Sequence, residues 1–204
     1  TPVLAPRHRK IGYDNQNNIQ PRVKAPMSAF EFAPPQFTEN DVQELLSAKY
    51  GIKGDLRALE SERDQNFAVS SDKGRFVFKI ANLGEDVDFL ELQNNSLTFL
   101  QNSGFEGCPA VVPTTTGENM FVAQKGEQEY HIRMLTFLEG DLYSQKPVSL
   151  ERLANLGRFM GKFSKSMSGF FDAAAHRPDF IWNLDNALAA EEYFPSIASP
   201  ANRK

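Results

Sequence analysis

Lys79 stands inside the run Arg75-Phe76-Val77-Phe78-Lys79-Ile80-Ala81, a costly place for a charge. Period-2 alternation puts Phe76, Phe78 and Ile80 on one strand face and Val77, Lys79 and Ala81 on the other. A desolvated ammonium needs a partner. Lys79 therefore either keeps its amine in water at a sheet edge or serves an anion. A loop follows, and then a helix that bears Glu91 early in its course. A strand lysine fixed by a helix carboxylate is a layout that holds a polyphosphate, because the carboxylate keeps a flexible ammonium where phosphate oxygens lie. Such pairs are common, so the order of the surrounding segments adds to the signal. A polar loop, Glu60 to Asn66, precedes the lysine, and an apolar strand runs later into Met134-Leu135-Thr136-Phe137-Leu138-Glu139-Gly140. Backbone groups of that stretch can meet a purine edge between apolar walls. An ordinary edge strand followed by a linker is the other reading of the same spacing.

The elements that must position these residues read as α+β. Thr38 with Glu39 and Asp41 is a helix start, Val42, Leu45 and Leu46 form its apolar stripe, and Gly51 is its stop. Leu56–Leu59 and Phe67–Ser70 read as strands, and Asp72-Lys73-Gly74 as a tight turn into the Lys79 strand, giving a three-stranded meander. Phe89, Leu92, Leu97 and Leu100 recur at helical spacing until Asn102, Ser103 and Gly104. Ala110–Thr114, Met120–Gln124 and His131–Leu138 are three further strand candidates. Beyond Glu139-Gly140-Asp141 the character changes. Ser149 caps a helix with Leu150, Leu153, Leu156, Met160, Phe163 and Met167, read as the core helix of a second region with Gly157 and Gly161 leaving room for close packing. An amphipathic segment, Ile181–Phe194, carries Trp182.

Composition bounds the class. The 204 residues suffice for one large domain, or one domain and part of another, and the hydrophobic fraction of 41% lies above the disordered range. A net charge of -4 gives no overall argument for nucleic acid or a membrane surface. The single Cys108 excludes an internal disulfide framework and fits a reducing compartment. No apolar run has membrane-spanning length and no signal-like segment opens the chain, so the expectation is cytoplasmic. Residues 1–36 are broken by prolines, and Arg7, Arg9, Lys10, Arg22 and Lys24 against Asp14 and Glu31 make them basic: an extended or disordered arm.

The wording of several segments resembles a known family. "ERDQNFAV", "RFVFKIAN" and "FLELQNNSLTFLQNSGF" look like the N-terminal lobe of the aminoglycoside phosphotransferase and choline kinase superfamily, nearest its hydroxylysine kinase branch. "RMLTFLEG", "LANLGRFMGKF" and "PDFIWNLDNA" continue the likeness, which covers about residues 37–204. The resemblance implies a protein-kinase-like fold: an N-lobe at 37–138 with a helix across an antiparallel sheet, then a hinge and the first helices of an incomplete helical C-lobe at 139–204. It implies transfer of a phosphoryl group from ATP or GTP, with Mg²⁺, to a hydroxyl of a small amine- or amino-acid-like substrate. By position, Lys79 would contact the nucleotide phosphates and Glu91 would orient it. Ser61 through Asn66, with Arg63 among them, would form the loop over the phosphates, and Phe67 and Val77 would wall the base. Around Phe137, the carbonyl of Thr136 and the N–H of Leu138 would meet the purine.

The family's catalytic loop, a His with an Asp and then an Asn, and its metal-binding Asp lie C-terminal to the segment resembling Trp182–Lys204. None of His8, His131 and His176 is followed by a suitable Asp and Asn, and Asp179-Phe180 is followed by Ile181 rather than Gly. The expectation is a chain without catalytic or metal residues of its own, which does not turn over alone. Three readings follow: the nucleotide-binding N-terminal portion of a small-molecule kinase; a non-catalytic nucleotide-binding or regulatory module of a fusion protein, with an aminotransferase for instance; and a protein-interaction fragment. Neither substrate identity nor oligomeric state follows from the sequence.

Overall fold

The computed structural model of the protein describes residues 32–178, 180, 183–197 and 199. Residues 1–31 of the arm lie outside the described residues, as do Asp179, Ile181, Trp182 and Lys204. The described residues up to Pro178 make one compact unit, and those from Phe180 onward belong to a second.

The first unit opens with helix α1 (Glu39–Tyr50), started by a reciprocal cap. The Thr38 hydroxyl accepts from the Asp41 N–H at 3.2 Å, and the Asp41 carboxylate accepts from the Thr38 N–H at 2.6 Å. Gly51 stops the helix at a φ of 61°, a backbone open to glycine and rare for other residues. Strands β1 (Gly54–Leu59), β2 (Gln65–Ser71) and β3 (Gly74–Ile80) then form the antiparallel meander. Helix α2 (Val87–Asn102) follows, and then β4 (Val111–Val112), β5 (Phe121–Lys125) and β6 (Gln128–Thr136). The sheet order is β1-β2-β3-β6-β4, and β5 pairs with the first half of β6. Strand β4 keeps only two of the five residues the sequence suggests. Pro109 and Pro113 flank it, and proline has no N–H to give a ladder.

Alternation along the strands sorts the two faces. Phe67, Val69, Phe78, Ile80, Ile132 and Met134 pack with Val42, Leu46 and Tyr50 of α1 into the core. The opposite face carries Ala68, Val77, Lys79, Arg133 and Leu135, and α2 lies against part of it through Leu90. The core is built on the α1 side, so the α2 side is free to carry polar groups.

Helix α3 (Leu150–Ser166) is capped by the Ser149 hydroxyl, which accepts from the Arg152 N–H. Its apolar stripe does not form the expected core: Leu150 is 86% exposed, Met160 50%, and Leu153 and Leu156 are also open. Among the described residues, the flank with Phe159 and Phe163 finds partners, both rings meeting Phe105. No atom comes within 4 Å of a methyl group built on Gly157 or Gly161, so the close packing read from them is not made among the described residues. The Phe170 ring meets Phe99 of α2 at a tilt of 52°, and Asp172 accepts from Asn95, which seats the segment after α3 on α2. In the second unit, Leu184–Ser196 forms 3₁₀ turns begun by Asn183, whose side chain accepts from the Asp185 N–H.

Candidate functional site

Antiparallel register builds the site. The Asp72-Lys73 turn sets Ser71 opposite Gly74, and counting back places Asn66 opposite Lys79. On the other side of β3, Lys79 stands opposite Arg133 of β6. Asn66, Lys79 and Arg133 thus form one polar row across three strands. One step along, Ala68, Val77 and Leu135 form a parallel apolar row. Both rows are on the face away from α1.

Lys79 is half-buried, and burial, its main perturbation, lowers its pKa below the ordinary lysine value; Asp64 opposes that shift and Arg133 adds to it. Its amine donates to Asn66 Oδ1 at 3.0 Å and lies 3.6 Å from Asp64 Oδ2. The other Asp64 oxygen accepts from the Asn82 N–H at 3.1 Å. Asn82 is itself buried and fully engaged. Its amide donates toward the carbonyls of Phe32, Ala33 and Arg63, and its oxygen accepts from the Gly84 N–H. Asn82 thereby fixes the loop before β2 to the loop after β3, and so places Asp64 over Lys79.

Arg133 is 5% exposed, and desolvation lowers its pKa. Its guanidinium donates to the Leu90 carbonyl at 3.2 Å, to Asn94 Oδ1 at 2.9 Å and to Gln93 Oε1. A cation on the sheet therefore binds neutral acceptors on the helix. Asp64, Lys79, Leu90, His131 and Arg133 with Ala81 and Met120 enclose a crevice too narrow for water.

Two residues stand elsewhere than the sequence suggests. Glu91 does not reach Lys79: it is exposed, because Leu90 and Asn94 are the α2 residues turned to the sheet and Glu91 sits about 100° round the helix from Leu90. Asp64 takes the place assigned to it. Phe67 does not face the Lys79 side; it is buried in the α1 core, 3% exposed, since it is one residue out of phase with Asn66 and Ala68. Ala68 stands where Phe67 was expected, opposite Val77.

The remaining expected residues fall around the same face. Ser61 is exposed in the loop ahead of β2, and Arg63 pairs with Glu85 at 3.5 Å. The stretch expected to act as a hinge, 136–139, is braced at several points. The Phe137 N–H donates to the Arg75 carbonyl, and Arg75 also binds both Glu139 oxygens at 2.6 Å with its guanidinium 4.1 Å from the Phe137 ring centre. The Thr136 N–H donates to the Ala110 carbonyl, next to β4. Leu138 is exposed beyond it. His131 lines the crevice, and His176 is exposed after the 3₁₀ turn at Ala173–Ala175. No group of three His, Cys, Asp or Glu side chains is placed to hold a metal among the described residues. Ala68, Asn82 and Arg133 are the site residues that motif reading missed, and Asp64 was placed in the covering loop without its pairing to Lys79; the turn register alone carried the signal for Ala68.

Comparison with known proteins gives this geometry a context. The family model described as "Phosphotransferase enzyme family" matches residues 55–200. The chain is 30% identical to the hydroxylysine kinase of Mus musculus over 191 residues, which are 84% of this chain and 50% of that protein. It spans about half the length of the curated relatives it matches. Among solved structures, a microcompartment-associated aminopropanol kinase superposes with a TM-score of 0.59 at 16% identity, over 77% of this chain and 49% of the other. An amicoumacin kinase solved in complex with AMP-PNP, Ca²⁺ and Ami gives 0.55 at 12%, over 71% and 43%. At these identities the likeness is one of fold: an α+β, kinase-like arrangement.

Proposed function

Since the chain belongs to the phosphotransferase enzyme family, we propose that its Lys79 face binds the phosphates of ATP or GTP, as the N-terminal portion of a small-molecule kinase. The observation that carries this reading is the half-buried ammonium of Lys79, set in a polar row beside the apolar row of Ala68, Val77 and Leu135, with a braced hinge at the row's end. The apolar row suits the flat face of a purine, and the ammonium suits the phosphates that follow it. Thr136 and Leu138 would offer the backbone carbonyl and N–H for the purine edge. Arg63 and Ser61 lie in the loop that would cover the phosphates.

The nucleotide supplies the transferable phosphoryl group and most of the charge to be neutralised. The chain's own part is positioning. Asn66 holds the Lys79 amine on the sheet face, Asn82 holds the covering loop, and Arg133 fixes α2 without drawing on Lys79. A divalent ion would accompany the nucleotide, and the described residues do not form a set that would hold one. The acceptor would be the hydroxyl of a small amine or amino acid, in keeping with relatives named for hydroxylysine and aminopropanol.

Titration calorimetry with AMP-PNP and GMP-PNP in the presence of Mg²⁺ tests the reading. The chain binds at least one of them, and Lys79→Met weakens binding by about 10- to 100-fold, the worth of one charge-assisted contact. Unchanged affinity in that variant would place the phosphates elsewhere.

A further inference from the structure

We propose that Asp64 is an internal counter-ion that the nucleotide phosphates displace from Lys79, so that this carboxylate opposes nucleotide binding instead of orienting the lysine for it. The inference rests on the nucleotide reading of the same site and assigns a role that the reading does not need.

A half-buried ammonium requires an anion. Asp64 supplies the only carboxylate oxygen within 4 Å of the Lys79 amine among the described residues. Neither neighbour can relieve it of that task. Glu91 faces solvent, and Asn66 is neutral. The adjacent cation, Arg133, is committed to the Leu90 carbonyl, Gln93 and Asn94 on α2.

The attachment of Asp64 is lopsided. One oxygen accepts a 3.1 Å hydrogen bond from the Asn82 N–H, and Asn82 is pinned to four backbone groups. The other oxygen stands 3.6 Å from Lys79, a Coulombic contact too long for a good hydrogen bond. The carboxylate is therefore fixed on the loop side and loosely held on the lysine side, and it can turn about the Asn82 contact. A phosphate arriving at Lys79 meets this negative charge on the same ammonium, where like charges repel. Binding exchanges one anion for another. An orienting carboxylate would instead be hydrogen-bonded to the amine and would remain in place.

Calorimetry on the full chain decides between the two roles. The ligands are AMP-PNP with Mg²⁺ and adenosine, and the chains are wild type, Asp64→Asn and Asp64→Ser. Asparagine keeps an oxygen for the Asn82 N–H and removes the charge. The exchange predicts that Asp64→Asn binds AMP-PNP on the order of tenfold more tightly, with adenosine affinity unchanged. A purely structural role would move both ligands alike. Equal or weaker AMP-PNP binding by folded variants overturns the proposal and makes Asp64 an orienting group. If neither variant folds, the wild-type chain answers: the Asn82 amide resonance must shift on AMP-PNP addition, and a fixed resonance refutes the exchange. Loss of binding in every chain, wild type included, refutes the nucleotide reading and this inference together. Wild-type binding without the Asp64 effect refutes this inference alone.

Discussion

Replacing Asp64 by asparagine separates the ion pair the structure shows from the pair the sequence suggests. The Lys79 amine and the Asp64 carboxylate are 3.6 Å apart, with side chains 22% and 27% exposed. At an effective dielectric of about 20 the gross attraction is roughly 4–5 kcal/mol. Desolvation of both partners and partial screening cancel most of it, leaving about 1–2 kcal/mol net. Asp64→Asn keeps an acceptor for the Asn82 N–H, so the loss is chiefly this charge contact. The melting temperature should fall by roughly 2–8 °C for a chain of this size. The assay is a double-mutant cycle by thermal melting, with Lys79→Met as the second arm and Glu91→Gln as a parallel cycle. Asp64→Asn should cost about 1–2 kcal/mol in the wild-type background and little in the Lys79→Met background. Glu91→Gln, on an exposed side chain, should stay within about 0.5 kcal/mol in both. A coupling energy for Glu91 with Lys79, and none for Asp64, would refute the assignment.

Two further outcomes follow from the same geometry. Arg133→Met leaves the Leu90 carbonyl, Asn94 and Gln93 without their donor, so it should destabilise the chain by about 2–4 kcal/mol in a denaturant melt, and Arg133→Lys should not restore it because an ammonium lacks the planar fork; near-wild-type stability of either variant would show that α2 is held by other means. The Lys125 ammonium, with the Thr38 hydroxyl and N–H, holds the Asp41 carboxyl at about 2 against an ordinary 3.8. A value lowered by folding contributes stability that is complete above about pH 4 and is lost as pH falls toward 2. Asp41→Asn should flatten that part of an acid-unfolding profile, and an unaltered profile would contradict the cap-and-lysine account.

Much of the fold was legible because its signals are local. The Thr38 cap, the Gly51 stop, the Asp72-Lys73 turn and the alternation along β3 each act within a few residues, and each is found where the sequence puts it. The Lys79 face was legible for the same reason. The partner of Lys79 was not. Helical spacing marked an apolar stripe on α2 but not its rotation, and a turn of about 100° separates Leu90 from Glu91. Which face Phe67 takes depends on register, and the turn fixes that register only once Asn66 is counted opposite Lys79. Arg133 and Asn82 act through contacts with α2 and with loops distant in sequence, which no local pattern records. The α3 stripe was read as apolar and is so, but among the described residues most of it lies open, since periodicity shows a face but not what lies on it.

Backbone amide mapping of the full chain by NMR, on addition of AMP-PNP with Mg²⁺, tests the nucleotide site most directly. Shifts should concentrate at Asn66, Ala68, Val77, Lys79, Thr136 and Leu138. Shifts confined to the open depression lined by Ser47, Lys53, Ser70 and Lys73, or scattered without regard to the Lys79 face, would contradict it.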